Sequence, residues 1–425
     1  MKSPIISRRG LIQTGLLGLG GLALPLNALS QSNASIVIVG GGFGGASAGR
    51  TLKDLLPSAE ITLIEANANY TACPFSNLVI ATERPLSAQE FSYDRLQAAG
   101  ISIISARATS VDASGQIVEL QDGSQVPYDR LILSPGVDMR WGALEGYSQE
   151  AAERHPHAWK AGAQTQLLRD QLVALEDGEN VVMTVPPAPY RCPPGPYERA
   201  SMIAHYLKTN RPRSKLIILD AKDSFSKMAL FQEAWAEHYP DHLEWRGALD
   251  DGAVSRVDAN LKTVYTDFDE LSAAVINVIP PQKAGQIADA AGVSDQTGWC
   301  PIDPLSFESK LQPKVHVIGD ATIAAPMPKS AFSANLQAKV CAFAVARLLS
   351  DLEPIATTLA NTCYSYTTPD EAISIAGVYS NVGGQLSSVS GAGGVSPLNG
   401  DKAVRQAEAA QAAHWFQTIT NEAFG

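Results

Sequence analysis

The sequence predicts an α/β protein: two doubly wound, Rossmann-like domains and a smaller C-terminal α+β domain. Three stretches carry that prediction. Residues 36–50, IVIVGGGFGGASAGR, run from a buried strand through a glycine-rich turn into a small-residue helix start. Residues 181–185, a helical pattern at 200–207 and an apolar strand at 216–219 repeat the same strand–helix–strand order. Residues 315–320, VHVIGD, form an apolar strand that returns the chain to the first unit. The order divides the chain into residues 34–152 with 296–352, residues 153–295, and residues 353–425.

The first turn carries the most chemistry. Gly40, Gly42 and Gly45 stand at the G-x-G-x-x-G positions. There the first glycine permits the tight turn, the second lets the backbone approach a pyrophosphate, and the third lets helix and strand pack closely. Gly41 completes the turn, and the helix behind it aims free N–H groups and its positive end at the phosphates. Residues 61–64 form the second strand, ending in Glu65, an acid placed to accept from the ribose hydroxyls. Residues 131–136, LILSPG, give another buried strand ending in a turn at Gly136, which resembles the short strand-end signature that returns to the pyrophosphate in two-dinucleotide flavoproteins. Residues 101–106 and 116–120 alternate as antiparallel strands do.

The repeated unit differs at its turn. Where the second domain needs glycines, residues 186–196 read PPAPYRCPPGP. Proline lacks an N–H and fixes its own φ, so this loop offers no nest of amides to a second dinucleotide. The second domain therefore reads as a dinucleotide fold without its dinucleotide. A strand at 274–279 closes the unit. A helix over 333–349 follows Asp320, its N-terminus suited to negative charge on a bound ring system. The last residues hold an alternating stretch at 372–379 and an Ala-rich, weakly apolar helix over 402–420.

Composition narrows the partners. A formal charge of −11 and the lack of any Lys/Arg block argue against nucleic acid. In residues 1–30, Lys2, Arg8 and Arg9 precede an apolar segment that ends in small residues at signal-peptidase spacing. The run SRRGLI looks like a twin-arginine signal, so export to the periplasm is expected. The five cysteines, Cys73, Cys192, Cys300, Cys341 and Cys363, include no C-x-x-C-H haem motif and no zinc spacing, and no metal is expected. Cys300 and Cys341 read as packing residues, and the seven histidines show no ligand spacing.

Particular motifs go further. The stretches YTAC ending at Cys73, RCPPGPYER around Cys192, GWCP at 298–301, PMPKS ending at Ser330 and NTCYS around Cys363 resemble the flavoprotein subunit of flavocytochrome c sulfide dehydrogenase over nearly the whole chain after the expected signal. The resemblance implies a glutathione-reductase-like arrangement and an FAD joined through Cys73 by a thioether. It also implies a redox-active disulfide between Cys192 and Cys363 and a separate c-type cytochrome subunit as electron acceptor. Asp320 then lies by the ribityl chain or pyrophosphate, and Lys329 is a flavin-contact candidate. Ala72 and Pro74, which flank Cys73, depart from the family's pattern.

Sulfide is a soft two-electron donor, and a disulfide sulfur is the electrophile that suits it. Attack leaves a persulfide on one cysteine and a thiolate on the other, with Cys363 favoured as the flavin-facing sulfur. Glu198, one to two helical turns past Cys192, is the candidate base. The duller accounts are a structural disulfide, a helix-capping Glu198 and a solvated Lys329. Three other functions share these features: a sulfide:quinone oxidoreductase, an NAD(P)H-dependent disulfide reductase, and a flavin-carrying binding or assembly protein without turnover.

Overall fold

The computed structural model describes residues 33–425, so the twin-arginine signal and its cleavage site lie outside the described residues. The chain begins with β1 (Ser35–Val39), α1 (Phe43–Leu55) and β2 (Glu60–Glu65). A short antiparallel pair, β3 (Asn69–Thr71) and β4 (Glu90–Ser92), brackets helix α2 (Ser76–Ile80). Strand β5 (Ser102–Ser105) leads into an antiparallel meander of β6 (Ala108–Asp112), β7 (Ile117–Leu120) and β8 (Gln125–Pro127), and then β9 (Arg130–Leu133).

Helix α3 (Ala163–Ala174) opens the second unit, followed by β10 (Val181–Val185), α4 (Gly195–Asn210), β11 (Leu216–Asp220), α5 (Met228–His238), β12 (Leu243–Arg246) and β13 (Val275–Val278). The chain then returns through β14 (Val315–Val317) and α6 (Ala331–Leu348). It finishes with β15 (Leu359–Thr368), β16 (Glu371–Val382), β17 (Gln385–Ser388) and α7 (Lys402–Phe424).

Two parallel sheets result. The first has the order β14–β9–β1–β2–β5, in which β14 comes from beyond the second unit, and the second the order β12–β11–β10–β13. Their central strands, IVIV in β1 and VVMTV in β10, are buried on both faces, which is why they read as continuous apolar runs. Helix α1 lies against α6. Its Gly44, Gly45, Ala46 and Ala48 are buried, which lets the axes approach, and Ser47 Oγ accepts a 2.8 Å bond from Asn335 Nδ2.

Several sequence expectations are corrected. Residues 102–105 pair in parallel with β2 at the edge of the first sheet; the antiparallel partner of β7 is instead β6. Helix α4 starts at Gly195, because Pro196 sits in the first turn, where a missing N–H costs nothing. Helix α7 runs four residues past 420 and is not free: Ala409, Ala412, Phe416, Ile419, Ala423 and Phe424 are buried against the protein itself. The Phe424 ring stacks on Tyr70 at 5.1 Å and on Phe91 at 5.3 Å.

Candidate active site

The glycine turn is built for close approach. Gly40 has φ +100°, and a Cβ there would stand 2.3 Å from the Ser134 carbonyl oxygen; at Gly45 it would stand 1.8 Å from the Gly40 oxygen. At Gly42 the nearest atom to such a Cβ is the Tyr70 ring, at 3.3 Å. Gly136 is required by its φ of +63° alone, since nothing crowds it. Glu65 reaches back into the turn: Oε2 accepts the Gly41 N–H at 2.8 Å, while Oε1 accepts Asn67 N–H at 2.9 Å and Nδ2 at 2.7 Å. Oε2, with a single donor, keeps lone-pair capacity for a sugar hydroxyl.

On the opposite side of the same strand ends, Asp320 follows the turn at Gly319 (φ +76°), and its Oδ1 is sealed from solvent without a partner among the described residues. Burial pushes this carboxyl up, and the Arg191 and Lys329 cations oppose the rise. A glycine cradle and an orphaned acceptor at the C-terminal edge of one parallel sheet fit FAD. Lys329 is not a solvated lysine. Its ammonium donates to the carbonyls of Asp320 (2.8 Å) and Thr322 (2.6 Å) and lies 3.8 Å over the Trp299 ring; burial lowers it to about 8.

Cys73 follows β3 in a loop clamped from behind. The buried Gln89 amide donates to the Ala72 carbonyl at 3.0 Å and to that of Pro74, the two residues that flank Cys73, and Arg84 Nε holds the Gln89 oxygen at 2.7 Å. The Cys73 carbonyl accepts from Ser76 Oγ at 2.7 Å, and its thiol lies 4.0 Å from the Trp159 carbonyl.

Cys192 and Cys363 come from different elements. Cys192 ends the proline loop three residues before α4 in a left-handed conformation (φ +55°), and its N–H donates to the Lys329 carbonyl at 2.8 Å. Cys363 lies within β15 and lines a cavity of about 380 Å³ with Pro193, Pro194, Pro326 and Asn361. Both thiols are free in this structure. Pro193 and Pro194, the residues after Cys192, line the same cavity as Cys363, and burial, with Cys363 as the next cause, pushes the Cys192 thiol well above its usual value. Burial also raises Cys363, but the Asn361 amide, whose Nδ2 lies 3.2 Å from Sγ, opposes that rise. Asn361 is itself fixed by Ser330 Oγ at 2.6 Å.

Glu198 stands in the first turn of α4 and caps nothing. Its Oε1 accepts the Tyr366 N–H at 2.9 Å, and its Oε2 accepts Asn77 Nδ2 at 2.8 Å. Burial raises this carboxyl, with those two bonds opposing. The next residue, Arg199, is 2% exposed and bonds Asn77 Oδ1, Asn277 Oδ1 and the carbonyls of His157 and Ala158 while lying 4.8 Å from the Trp159 ring centre. Thus α2, α4 and β13 are tied together behind the cysteines. His157, lowered to about 3 by burial, stays neutral and accepts the Trp159 N–H at Nδ1.

The second sheet has spent its own acid. Asp220, at the end of β11, is fully buried and accepts from Tyr197 Oη (2.6 Å), Trp245 Nε1 (3.1 Å) and Lys222 Nζ (2.5 Å). Tyr197 stacks on Phe225 at 3.5 Å. A ribose has no open acceptor here, and aromatic rings fill the space.

Gly40, Gly41, Gly42, Gly45, Glu65, Gly136, Asp320 and Lys329 gather on the first sheet's strand ends, while Cys192, Glu198 and Cys363 meet where the three units join. Cys300 and Cys341 are buried in the first core; burial raises the Cys300 thiol to about 12. No grouping of His, Cys, Asp or Glu among the described residues suits a metal. The sequence reading missed Gln89, Trp159, Asn361 and Lys227. Asn361, two residues before Cys363 on a strand, carried the only local signal, since i and i+2 share a face.

Three family models match the chain: the central part of the sulfide dehydrogenase (flavocytochrome c) flavoprotein chain at residues 165–280, the flavin-binding part of flavocytochrome c sulphide dehydrogenase at 355–424, and pyridine nucleotide-disulphide oxidoreductase at 34–182. The corresponding flavoprotein chain of Chlorobaculum thiosulfatiphilum is 52% identical over 44 residues, which are 10% of this chain and 92% of that sequence. Mitochondrial sulfide:quinone oxidoreductase of Mus musculus is 21% identical over 351 residues, 77% of this chain and 74% of that one. The X-ray structure of the sulfide:quinone oxidoreductase of Aquifex aeolicus superposes with a TM-score of 0.71 at 18% identity, covering 92% of each chain, and so shares the fold. With an FAD cradle on one sheet, a cysteine-bearing second sheet and a flavin-binding C-terminal part, this chain belongs to the flavocytochrome c sulfide dehydrogenase flavoprotein family, among the FAD-dependent sulfide oxidoreductases.

Proposed function

We propose that this protein oxidises sulfide in the periplasm through the Cys192–Cys363 pair and passes the electrons by way of FAD to a c-type cytochrome subunit. The observation that carries the reading is the grouping of the half-buried Cys192, Cys363 and Glu198, with its raised carboxyl, beside a cavity. In the oxidised enzyme the two sulfurs form a disulfide. Hydrosulfide attacks Cys192; the new S–S bond makes a persulfide there, and the old bond breaks to release Cys363 as a thiolate. Asn361 Nδ2 receives that charge. The sulfur with the better-stabilised thiolate is the better leaving group, which sets this order. Glu198, held by Asn77 and Tyr366, takes the incoming proton.

Gly40, Gly42, Gly45, Glu65 and Asp320 hold the FAD, and Cys73, clamped by Gln89, is the attachment point for its ring. When bound, FAD supplies a two-electron acceptor that can deliver electrons singly to haem. The N-terminal twin-arginine pattern supports export of the folded, loaded chain.

Quinone as acceptor is the second reading, favoured by the sulfide:quinone oxidoreductases that match most of the chain. Against it, α7 buries its large apolar side chains internally and turns Gln406, Gln411, Gln417, Thr418, Asn421 and Glu422 outward with alanines between, so this helix offers a bilayer no exposed large apolar side chain. No helix among the described residues is long and apolar enough to cross a membrane. Anaerobic mixing with sulfide, then with cytochrome c or a soluble quinone, tests the proposal. Flavin bleaching followed by cytochrome reduction is expected; quinone reduction alone would overturn the cytochrome route, and no bleaching would overturn sulfide oxidation.

A further inference from the structure

Lys227 is a buried cation with no ion-pair partner among the described residues. It caps α5 in a left-handed conformation (φ +63°, ψ 27°) and is 8% exposed. All three ammonium hydrogens go to neutral oxygens of the C-terminal sheet: the Cys363 carbonyl at 3.2 Å, Ser365 Oγ at 2.8 Å and the Ile373 carbonyl at 3.3 Å. This is an expensive arrangement for structure alone, because a buried ammonium costs several kcal/mol unless opposite charge compensates it.

The compensating charge is not supplied by a fixed carboxylate bonded to it. Glu408 is occupied by Arg405 at 3.7 Å and by the hydroxyls of Ser374 and Ser396, and Glu198 by Asn77 and Tyr366. What remains close is the cysteine pair. Along β15 the side chains of Asn361, Cys363 and Ser365 share one face, and Lys227 reaches Ser365 Oγ on that face. The ammonium therefore stands one pleat step from the Cys363 sulfur, across from the Asn361 amide. Besides Cys192, the groups near Cys363 are Asn361, Lys227, Ser330 and Glu198; those near Cys192 are Cys363, Glu198, Arg191 and Lys227. Those facing Lys227 itself are Cys363, Glu198, Cys192 and Glu408.

We propose that Lys227 is the positioning cation of the cysteine pair: moored to the strand that carries Cys363, its ammonium stabilises the thiolate formed there. The proposal rests on the pair being redox-active, and it adds a residue outside the two cysteines and the base. It explains why an amine is anchored to the backbone of the reacting residue rather than to the sulfur. The mooring holds the ammonium on the strand that carries Cys363 without using the sulfur as an acceptor.

The test uses reduced, flavin-loaded protein and measures iodoacetamide alkylation of Cys363 against pH by peptide mass mapping. Lys227→Met is expected to raise the alkylation midpoint by at least one pH unit, which slows the reaction ~tenfold near neutrality. Lys227→Arg, keeping the charge, is expected to stay within about twofold of the parent rate by the same proportionality. An unchanged midpoint in Lys227→Met with parental circular dichroism and flavin content would overturn the proposal. Should Lys227→Met not accumulate folded, Ser365→Ala removes one mooring; a smaller rise of the same sign is expected, and no rise overturns the proposal. Alkylation needs no sulfide turnover, so failure here is distinct from failure of the sulfide bleaching test.

Discussion

Glu198 shows how a single carboxyl acquires a task. A Glu in the first turn of a helix is ordinarily an exposed complement to the dipole, but here burial raises it and two hydrogen bonds aim it. Below its raised pKa the group is protonated and cannot take a proton, so sulfide-driven bleaching should gain rate as pH rises through that value. Glu198→Gln should lose this ascending limb and slow bleaching by about 10²-fold or more, read by stopped-flow across pH. Gly40→Ala forces a Cβ against the Ser134 carbonyl at a strained φ, an expected loss of about 2 kcal/mol or more, visible as a lower unfolding temperature and as FAD lost on gel filtration. Gln89→Ala frees the carbonyls on both sides of Cys73; the flavin-linked fraction should fall, measured as FAD-sized added mass on the denatured chain, while total FAD bound before denaturation is kept.

At the scale of elements, legibility followed side-chain pattern. Strands β1, β2, β9, β10 and β14 are predominantly apolar and largely buried and could be read directly, as could the glycine turn. Strand β15 could not: its inward face carries Asn361, Cys363 and Ser365, so the polarity that makes the site hides the strand. The start of helix α4 was read five residues late because prolines look like loop until one is placed at the helix start. The pairing of β5 depended on a long-range choice that alternation does not encode. The cysteines and Glu198 were visible as motifs. Lys227 and Gln89 were not, because each acts on a partner distant in sequence.

Across the whole molecule, two parallel sheets turn their strand ends toward a shared region, and only the first keeps a nucleotide cradle. NADH should therefore not bleach the flavin at millimolar concentration over the interval in which sulfide bleaches it completely; rapid bleaching by NADH in anaerobic spectroscopy would contradict the sealed second unit. The network of Arg199 with Asn77 and Asn277 ties the two units behind the cysteines, so their relative placement is fixed where the chemistry needs it.

Tyr197 carries a consequence for anyone who would re-engineer this scaffold. It stands on the same helical turn as Glu198, five residues after Cys192, and its hydroxyl closes Asp220. Cutting the rings back to readmit a nicotinamide would loosen the turn that aims the carboxyl and the sulfur. Nicotinamide access and the aim of Glu198 thus depend on one turn of helix, and a redesign of either has to preserve the other.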